Sequence, residues 1–257
     1  MYSQATAPQT IGGVLDSGFK LFSACFTQVF WLAAISALAT APISLLQTYN
    51  PTNSLSGGFV ALLLCGILVG ALVAGVIYGA VIARIDAVAR SASLRVGEAL
   101  AIGLRRLPAM FVAGLLAGLV TGVGLILLII PGLIFMIWFV FAPNAVIVER
   151  VGPIEALGYS RALVRGHWWR TAALLTIVGI IVGVVYVILI VVVGVLVVSN
   201  PSAIASGQTP WYLNFIAGPL LAMVAVPLTY ALLLSIYYDL KTRLEGGDLA
   251  ARIAATA

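Results

Sequence analysis

The sequence predicts an all-α integral membrane protein with about six transmembrane helices, and three observations lead to this fold class. Of its 257 residues, 63% are hydrophobic and only 8% are charged, whereas soluble domains average about 45–50% apolar and about 25% charged residues. The mean hydropathy is +1.18. Uncharged stretches of about 20 residues, the length that crosses the hydrocarbon core, recur along the chain. This composition excludes a soluble enzyme, a nucleic-acid-binding module, a disordered tail and a secreted disulfide scaffold.

The uncharged stretches divide residues 1–257 into one polytopic membrane domain. The predicted spans cover approximately residues 26–49, 58–83, 108–130, 132–148, 171–198 and 212–238, and a cytoplasmic tail follows at 239–257. The third and fourth spans are contiguous, so they need a tight turn, which we place at Pro131 and Gly132. The N-terminus lacks the basic region and apolar core of a cleavable signal peptide, so we expect the first span to remain in the mature protein.

The charged residues predict how the chain is threaded through the membrane. All 13 Lys and Arg residues lie in the N-terminal segment, in 84–106, in 149–170 or after Tyr238. The connections around 50–57, 131–132 and 199–211 carry no charge. With six spans, these two groups of connections fall on opposite sides, and the positive-inside rule makes the basic side cytoplasmic. We therefore expect both termini to be cytoplasmic.

Short segments with helical apolar spacing precede spans 1, 3 and 5, and we expect them to form cytoplasmic interfacial amphipathic helices. Their apolar stripes are Ile11, Val14, Leu15, Phe19 and Phe22; Val96, Leu100, Leu104 and Leu107; and Ile154, Leu157 and Val164. The first two segments also match each other in sequence, which predicts three degenerate units of an interfacial helix and a helical hairpin. The alternative is that each segment simply continues into its span.

Glycines four residues apart predict the faces at which membrane helices approach each other closely. These candidate packing residues are Gly66, Gly70, Gly75, Gly79, Gly114, Gly118, Gly122, Gly179 and Gly183. Prolines within the spans predict kinks, at Pro42, Pro143, Pro219 and Pro227. Kinked helices either line a cavity or pack against their neighbours.

The residues that usually carry chemistry are few. No charged residue falls in the middle of a predicted span, which argues against a proton-coupled transporter and a charged intramembrane protease. The single histidine, His167, cannot build a catalytic zinc or di-metal site without a nearby carboxylate cluster. Cys25 and Cys65 lie 40 positions apart and form no Cys-x-x-Cys pair. We predict a protein that is not an enzyme, with no catalytic residues, metal site or cofactor.

Basic residues near the span ends are candidate contacts for anionic lipid headgroups, namely Arg105, Arg106, Arg161, Arg165 and Arg170. Arg161 and Arg165 are four residues apart, so on a helix they would share one face. Each arginine at this depth adds about 1 kcal/mol of attraction to an anionic leaflet. The alternative is that these arginines serve only as topology signals.

Three passages resemble the glycerophosphoryl diester phosphodiesterase membrane-domain family. They are Leu127 to Gly132 (LLIIPG), Glu155 to Gly166 (EALGYSRALVRG) and Tyr237 to Leu249 (YYDLKTRLEGGDL). The resemblance extends over nearly the whole chain and implies six or more spans, a bacterial inner-membrane location and an association with phospholipid metabolism or the cell envelope. The phosphodiesterase barrel of that family, with its metal-binding residues, has no counterpart here, so the resemblance implies no enzymatic activity.

Three functions remain open from the sequence. The first is a lipid-associated or scaffolding role in the cell envelope, with membrane lipids, and anionic phospholipids in particular, as partners. The alternative is a transporter or lipid-translocating protein with a cavity between kinked helices. The third is assembly with an envelope protein through the charged tail from Asp239 to Asp248. Nucleic acid is not an expected partner.

Overall fold

The computed structural model describes residues 7–48, 57–198 and 211–256, and all regular secondary structure in these ranges is α-helical. The predicted connections at 50–57 and 199–211 lie, apart from their last residues, outside the described part. The helices are α1 (Ile11–Thr48), α2 (Gly57–Ala89), α3 (Val96–Leu127), α4 (Ile129–Phe139), α5 (Ala142–Val148), α6 (Pro153–Val164), α7 (Trp168–Val198) and α8 (Trp211–Thr256).

Six segments of the described residues are long and apolar enough to cross a membrane, which confirms the predicted six-span helical fold. They are Ile11–Ser36, Gly58–Ala89, Val96–Leu127, Ile129–Val148, Trp168–Val192 and Met223–Gly246. Together, α4 and α5 make up the fourth segment. The chain is therefore a multi-pass membrane protein.

The segments that precede spans 1, 3 and 5 are helical, but only the third is a separate helix. The first is the beginning of α1, which starts where the Thr10 hydroxyl accepts a hydrogen bond from the Gly13 N–H at 3.2 Å. The second is the beginning of α3, and both helices run on into their spans without a break. In contrast, α6 ends where Arg165 becomes extended and Gly166 adopts a positive φ of 87°.

The predicted apolar stripes of the first two segments are only partly directed into the protein. In α3, Val96 and Leu104 are 45% and 62% exposed, whereas Ala99 and Gly103 are buried. In α1, the buried face includes Val14, Leu21 and Cys25, while Phe19 is exposed. Large apolar side chains lose nothing by facing lipid, and small residues allow helix backbones to approach.

A close helix approach joins α2 to α3. A Cβ atom on Gly79 would lie 2.9 Å from the Cα of Gly103, and one on Gly103 would overlap the carbonyl oxygen of Val76. A Cβ on Gly75 would lie 2.6 Å from Leu107. A similar approach joins α1 to α8, where a Cβ on Gly18 would lie 2.6 Å from Leu232. Of these glycines, only Gly75 and Gly79 belong to the predicted packing set.

The other predicted packing glycines lie elsewhere. Gly70 is buried and Gly66 partly buried in α2. No heavy atom of a described neighbouring element lies within 4 Å of a Cβ built on the remaining five, which are Gly114, Gly118, Gly122, Gly179 and Gly183. Their four-residue spacing is the same as that of Gly75 and Gly79, but their faces are turned away from neighbouring helices.

The chain reverses between α3 and α4 at Leu128, three residues before the predicted turn at Pro131 and Gly132. Leu128 is extended (φ −157°, ψ 135°). Pro131 lies in the first turn of α4, where its missing N–H costs no helical hydrogen bond. Gly132 is buried against α3, where a Cβ would overlap the side chain of Leu125. Gly132 therefore permits the close crossing of α3 and α4, and neither Pro131 nor Gly132 forms the turn.

The fourth span is interrupted between α4 and α5, next to Pro143. Ser160 of α6 satisfies backbone groups at this interruption. Its hydroxyl donates to the Trp138 carbonyl oxygen at 2.6 Å and accepts from the Phe141 N–H at 3.2 Å. Buried backbone groups in a membrane need such partners, so α6 is fixed against the break.

We expect Gly103→Ala to lower the thermal unfolding temperature of the detergent-solubilised protein, with a loss of roughly 1–3 kcal/mol, because the added methyl overlaps the Val76 carbonyl. Gly114→Ala in the same helix is the control. It meets no neighbouring atom within 4 Å, and alanine favours helix over glycine by up to about 1 kcal/mol. Equal effects of the two substitutions would contradict the described α2–α3 contact.

Candidate functional site at the charged end of the bundle

Residues 237–243 of α8 (YYDLKTR), which we call the α8 polar segment, form hydrogen bonds or ion pairs with four other parts of the chain. These parts are Gln9 before α1, Asp86 near the end of α2, Glu149 after α5 and Arg170 in the first turn of α7. The contacts place these ends of four helices on one side of the bundle. Residues 239–243, predicted as the start of a tail, thus belong to the helix and to its packed part.

Asp239 is the most buried charged group of this segment, with a side chain that is only 1% exposed. Its carboxylate pairs with Arg170 and with Arg243, both at 3.0 Å. It also accepts the Gln9 N–H at 2.8 Å. The two arginines in turn donate to the Gln9 carbonyl oxygen, at 2.7 and 2.6 Å. This mutual pairing satisfies the buried charge and joins the N-terminal segment, α7 and α8.

Glu149, which follows α5, accepts two hydrogen bonds from the α8 polar segment. The Tyr237 hydroxyl and the Lys241 ammonium group both donate to Glu149 Oε1 at 2.7 Å. Burial alone raises the pKa of the Glu149 carboxyl, but the bonds from Lys241 and Tyr237 outweigh it and hold the pKa below its ordinary value. The carboxylate is therefore kept ionised.

Asp86 forms the third contact of the α8 polar segment. The Tyr238 hydroxyl donates to Asp86 Oδ1, and Arg90 Nε lies 2.9 Å from the same oxygen. Tyr237 and Tyr238 are both buried. Their hydroxyls bond carboxylates of two different helices, so they act as cross-links within the bundle.

These contacts make the charged end a structural junction in which each carboxylate is already bound by a cation and at least one further donor. Among the described residues, no group of three or more His, Cys, Asp and Glu side chains is placed to hold a metal ion. His167 is partly buried between α6 and α7.

A cleft of about 290 Å³ lies between α1, α2 and α8. Its walls are mainly apolar and include Ser36, Ile77, Tyr78, Val81, Val226 and Tyr230. The rings of Tyr78 and Tyr230 contact each other, with centroids 4.8 Å apart. Arg84 lies one helical turn beyond Val81 toward the charged end, and its side chain is buried.

The five arginines proposed as lipid contacts have different environments. Arg170 is directed into the protein, where it pairs with Asp239, and its side chain is 20% exposed. The other four are Arg105, Arg161 and Arg165, which are exposed, and Arg106, which is partly buried. Arg161 lies over the Trp138 ring, 4.6 Å from its centroid. Arg165 is the C-cap residue of α6, and its N–H still donates to the Arg161 carbonyl oxygen at 2.9 Å, so both side chains start from the same side of the helix end.

Sequence reasoning missed the acceptors of this site, Asp86, Glu149 and Asp239. A signal was present, because Tyr237 and Lys241, and likewise Asp239 and Arg243, are spaced four apart, so each pair lies on one face of a helix. That spacing indicates a polar helix that continues beyond the span. It does not indicate which distant carboxylates the helix meets.

A comparison with family models places most of the chain in one family. The family described as "Domain of unknown function (DUF7847)" matches residues 22–240. The chain belongs to this family. The matched range of this DUF7847 member contains Asp86, Glu149, Arg170 and Asp239, and thus most of the junction. No curated protein and no solved structure matches the chain. The resemblance to the glycerophosphoryl diester phosphodiesterase membrane-domain family stays a prediction.

We expect the stability of the protein to fall in acid partly through Glu149. Because its folded-state pKa lies below its ordinary value of 4.5, its contribution is present above that value and is lost as the pH falls through the folded pKa. Thermal unfolding in detergent between pH 3 and pH 7 measures this loss. Glu149→Gln should flatten the acid limb, whereas Glu155→Gln, on the exposed face of α6, should not. Parallel curves for all three proteins would contradict the described contact.

Proposed function

We propose that this protein is a lipid-associated or scaffolding component of the bacterial inner membrane, with both termini in the cytoplasm and without enzymatic activity. The observation that carries the proposal is the division of its basic residues at the charged end. Arg170 and Arg243 are used in the junction, while Arg105, Arg161 and Arg165 remain exposed. Exposed arginines at this level suit the phosphates of an anionic leaflet.

The cytoplasmic orientation is supported by the junction together with the charge distribution. The start of α1 and α7 and the ends of α2 and α5 meet the same segment of α8, so the basic connections lie on one side. Membrane proteins retain such basic connections in the cytoplasm.

The outer surface of the bundle supports lipids as the immediate partners. Long apolar side chains of α2, α3 and α7 point outward, and Trp169 at the start of α7 is 81% exposed. Exposed apolar side chains in such number would make a water-soluble protein aggregate, whereas in a membrane they contact lipid. The resemblance to the glycerophosphoryl diester phosphodiesterase membrane-domain family favours a role near phospholipid metabolism.

Two other functions have specific support. The cleft between α1, α2 and α8 favours a transporter or lipid-translocating protein. Assembly with an envelope protein would use the end of α8 beyond the junction, because Asp239, Lys241 and Arg243 are engaged within the bundle. Glu245, whose side chain is exposed, would begin such a surface.

The lipid proposal predicts that Arg161→Gln combined with Arg165→Gln weakens retention of anionic phospholipid. At about 1 kcal/mol for each arginine, the loss is roughly 30-fold in affinity. Native mass spectrometry of protein extracted in mild detergent, with titrated phosphatidylglycerol, measures it. Lys20→Gln is the control, because Lys20 is exposed but paired with Asp16 at 2.6 Å. Unchanged retention in the double variant would leave these arginines as topology signals only.

The proposed orientation predicts opposite labelling of two single cysteines in a background without Cys25 and Cys65. A cysteine at Ala92, in the exposed turn between α2 and α3, should be protected from a membrane-impermeant maleimide in spheroplasts and should react after permeabilisation. A cysteine at Ser202, in the uncharged connection predicted at 199–211, should react in both. The reverse pattern would contradict the proposed orientation.

A further inference from the structure

Arg84 is a buried cation whose charge is not compensated by the described residues. Only 8% of the residue is exposed. Nη2 donates to Gln28 Oε1 at 3.2 Å, while Nε and Nη1 have no hydrogen-bond partner within the described part of the chain. A buried charge is costly unless it is paired and hydrogen-bonded. This environment differs from that of every arginine in the junction.

The nearest carboxylate along the helix does not supply the missing partner. Asp86 is two residues from Arg84, and residues two apart on a helix do not face each other. Asp86 is bound instead by Tyr238 and Arg90. No carboxylate in the described residues forms an ion pair with Arg84 within 4.0 Å, which contrasts with Arg170 and Arg243 on Asp239.

Arg84 lies one helical turn beyond the lining of the cleft between α1, α2 and α8, on the side of the charged end. Val81 and Ile77, which line the cleft, precede Arg84 by three and seven residues, so all three share one face of α2. On α1, Gln28 contacts Arg84, and Ser36, two turns further along, lines the cleft. The two helices therefore run antiparallel here, with the Arg84–Gln28 pair at one end and the apolar walls continuing toward the bilayer interior.

We propose that Arg84 and Gln28 bind the oxyanion of a membrane amphiphile, a phosphate or a carboxylate, whose apolar chain occupies this cleft. Guanidinium groups form charge-assisted hydrogen bonds with both oxyanions, and Nε and Nη1 are the donors available for them. The neighbouring walls, with Ile77, Val81 and Val226, suit hydrocarbon and not a free hydrated anion.

The size of the cleft limits what enters it. Its volume of about 290 Å³ is at the lower end of the range for small-molecule pockets, roughly 300–1,000 Å³. This volume admits part of one hydrocarbon chain and not a complete diacyl lipid, so the rest of the molecule would stay in the surrounding bilayer. The inference rests on the proposed lipid association, but it is carried by residues other than Arg161 and Arg165.

The test uses the full chain in detergent and four probes: phosphatidylglycerol, oleate, inorganic phosphate and diacylglycerol, which has no anion. Binding is measured by native mass spectrometry and by the shift in thermal unfolding. We expect phosphatidylglycerol, oleate or both to bind the wild type, and Arg84→Gln to weaken this binding at least tenfold. Diacylglycerol should bind no more tightly to the wild type than to Arg84→Gln. The relative binding of phosphatidylglycerol and oleate distinguishes a phosphate source from a carboxylate source.

A second variant, Val226→Phe, tests the cleft independently of Arg84. It narrows the space for the chain, so it should weaken amphiphile binding at least tenfold. Arg84→Gln without ligand should unfold at the same or a higher temperature than the wild type, because it removes an uncompensated buried charge. A merely structural arginine would give a less stable variant whose ligand binding is unchanged, and that result would overturn the inference.

Three further outcomes would overturn the inference, and a fourth would support it. Equal binding of every probe to the wild type and Arg84→Gln would remove the anion site. Binding of inorganic phosphate alone, unaffected by Val226→Phe, would remove the amphiphile. Loss of phosphatidylglycerol in the Arg161→Gln, Arg165→Gln double variant, with neither phosphatidylglycerol nor oleate weakened by Arg84→Gln, would support the lipid association and reject this site. Loss in Arg84→Gln alone would support the site and reject the surface arginines.

Discussion

The buried carboxylate of Asp239, held between Arg170, Arg243 and the Gln9 backbone, is the contact on which the arrangement of the bundle depends. Membrane spans gain little specificity from apolar surface alone, because lipid tails are as apolar as leucine side chains. Directional polar contacts must therefore determine which helices become neighbours. Here, one two-turn segment of α8 supplies them for four other chain segments, and the same residues neutralise carboxylates that would otherwise be costly to bury.

Close backbone contacts extend this order into the membrane. Gly79 and Gly103 bring α2 and α3 together, and Gly18 brings α1 onto α8, while large apolar side chains such as Leu104 face outward. Ser160 adds a hydrogen-bonded connection at the break between α4 and α5. Among the described residues, Arg84 and the Trp168 indole N–H are the buried side-chain groups that lack a hydrogen-bond partner. Only Arg84 is charged, and for that reason it is the position where a ligand is expected.

The fold was largely predictable from the sequence because span length and charge distribution follow from bilayer thickness and the cost of burying charge. The site was not. Arg161 and Arg170 are both arginines of the basic connection at 149–170, and only the position of Asp239 separates a buried ion pair from an exposed arginine. Likewise, Gly79 and Gly114 occur in identical four-residue patterns, and which one packs depends on the face that meets a neighbour.

The turn between α3 and α4 was also misplaced from the sequence. Pro131-Gly132 is a strong turn signal, yet a single extended residue, Leu128, makes the reversal because proline is also favoured in the first helical turn.

The central role of Asp239 is tested most directly by a double-mutant cycle with Asp239→Asn and Arg170→Gln, in which the free energy of unfolding is measured for all four proteins in mixed micelles. Residues joined by a buried ion pair show coupling energies of about 0.5–3 kcal/mol. We expect a value in the upper half of this range, because Arg170→Gln removes one of the two cations from a buried carboxylate and Asp239→Asn leaves Arg170 without its carboxylate partner. Strictly additive losses would contradict the junction, since they would mean that Asp239 and Arg170 do not interact in the folded protein.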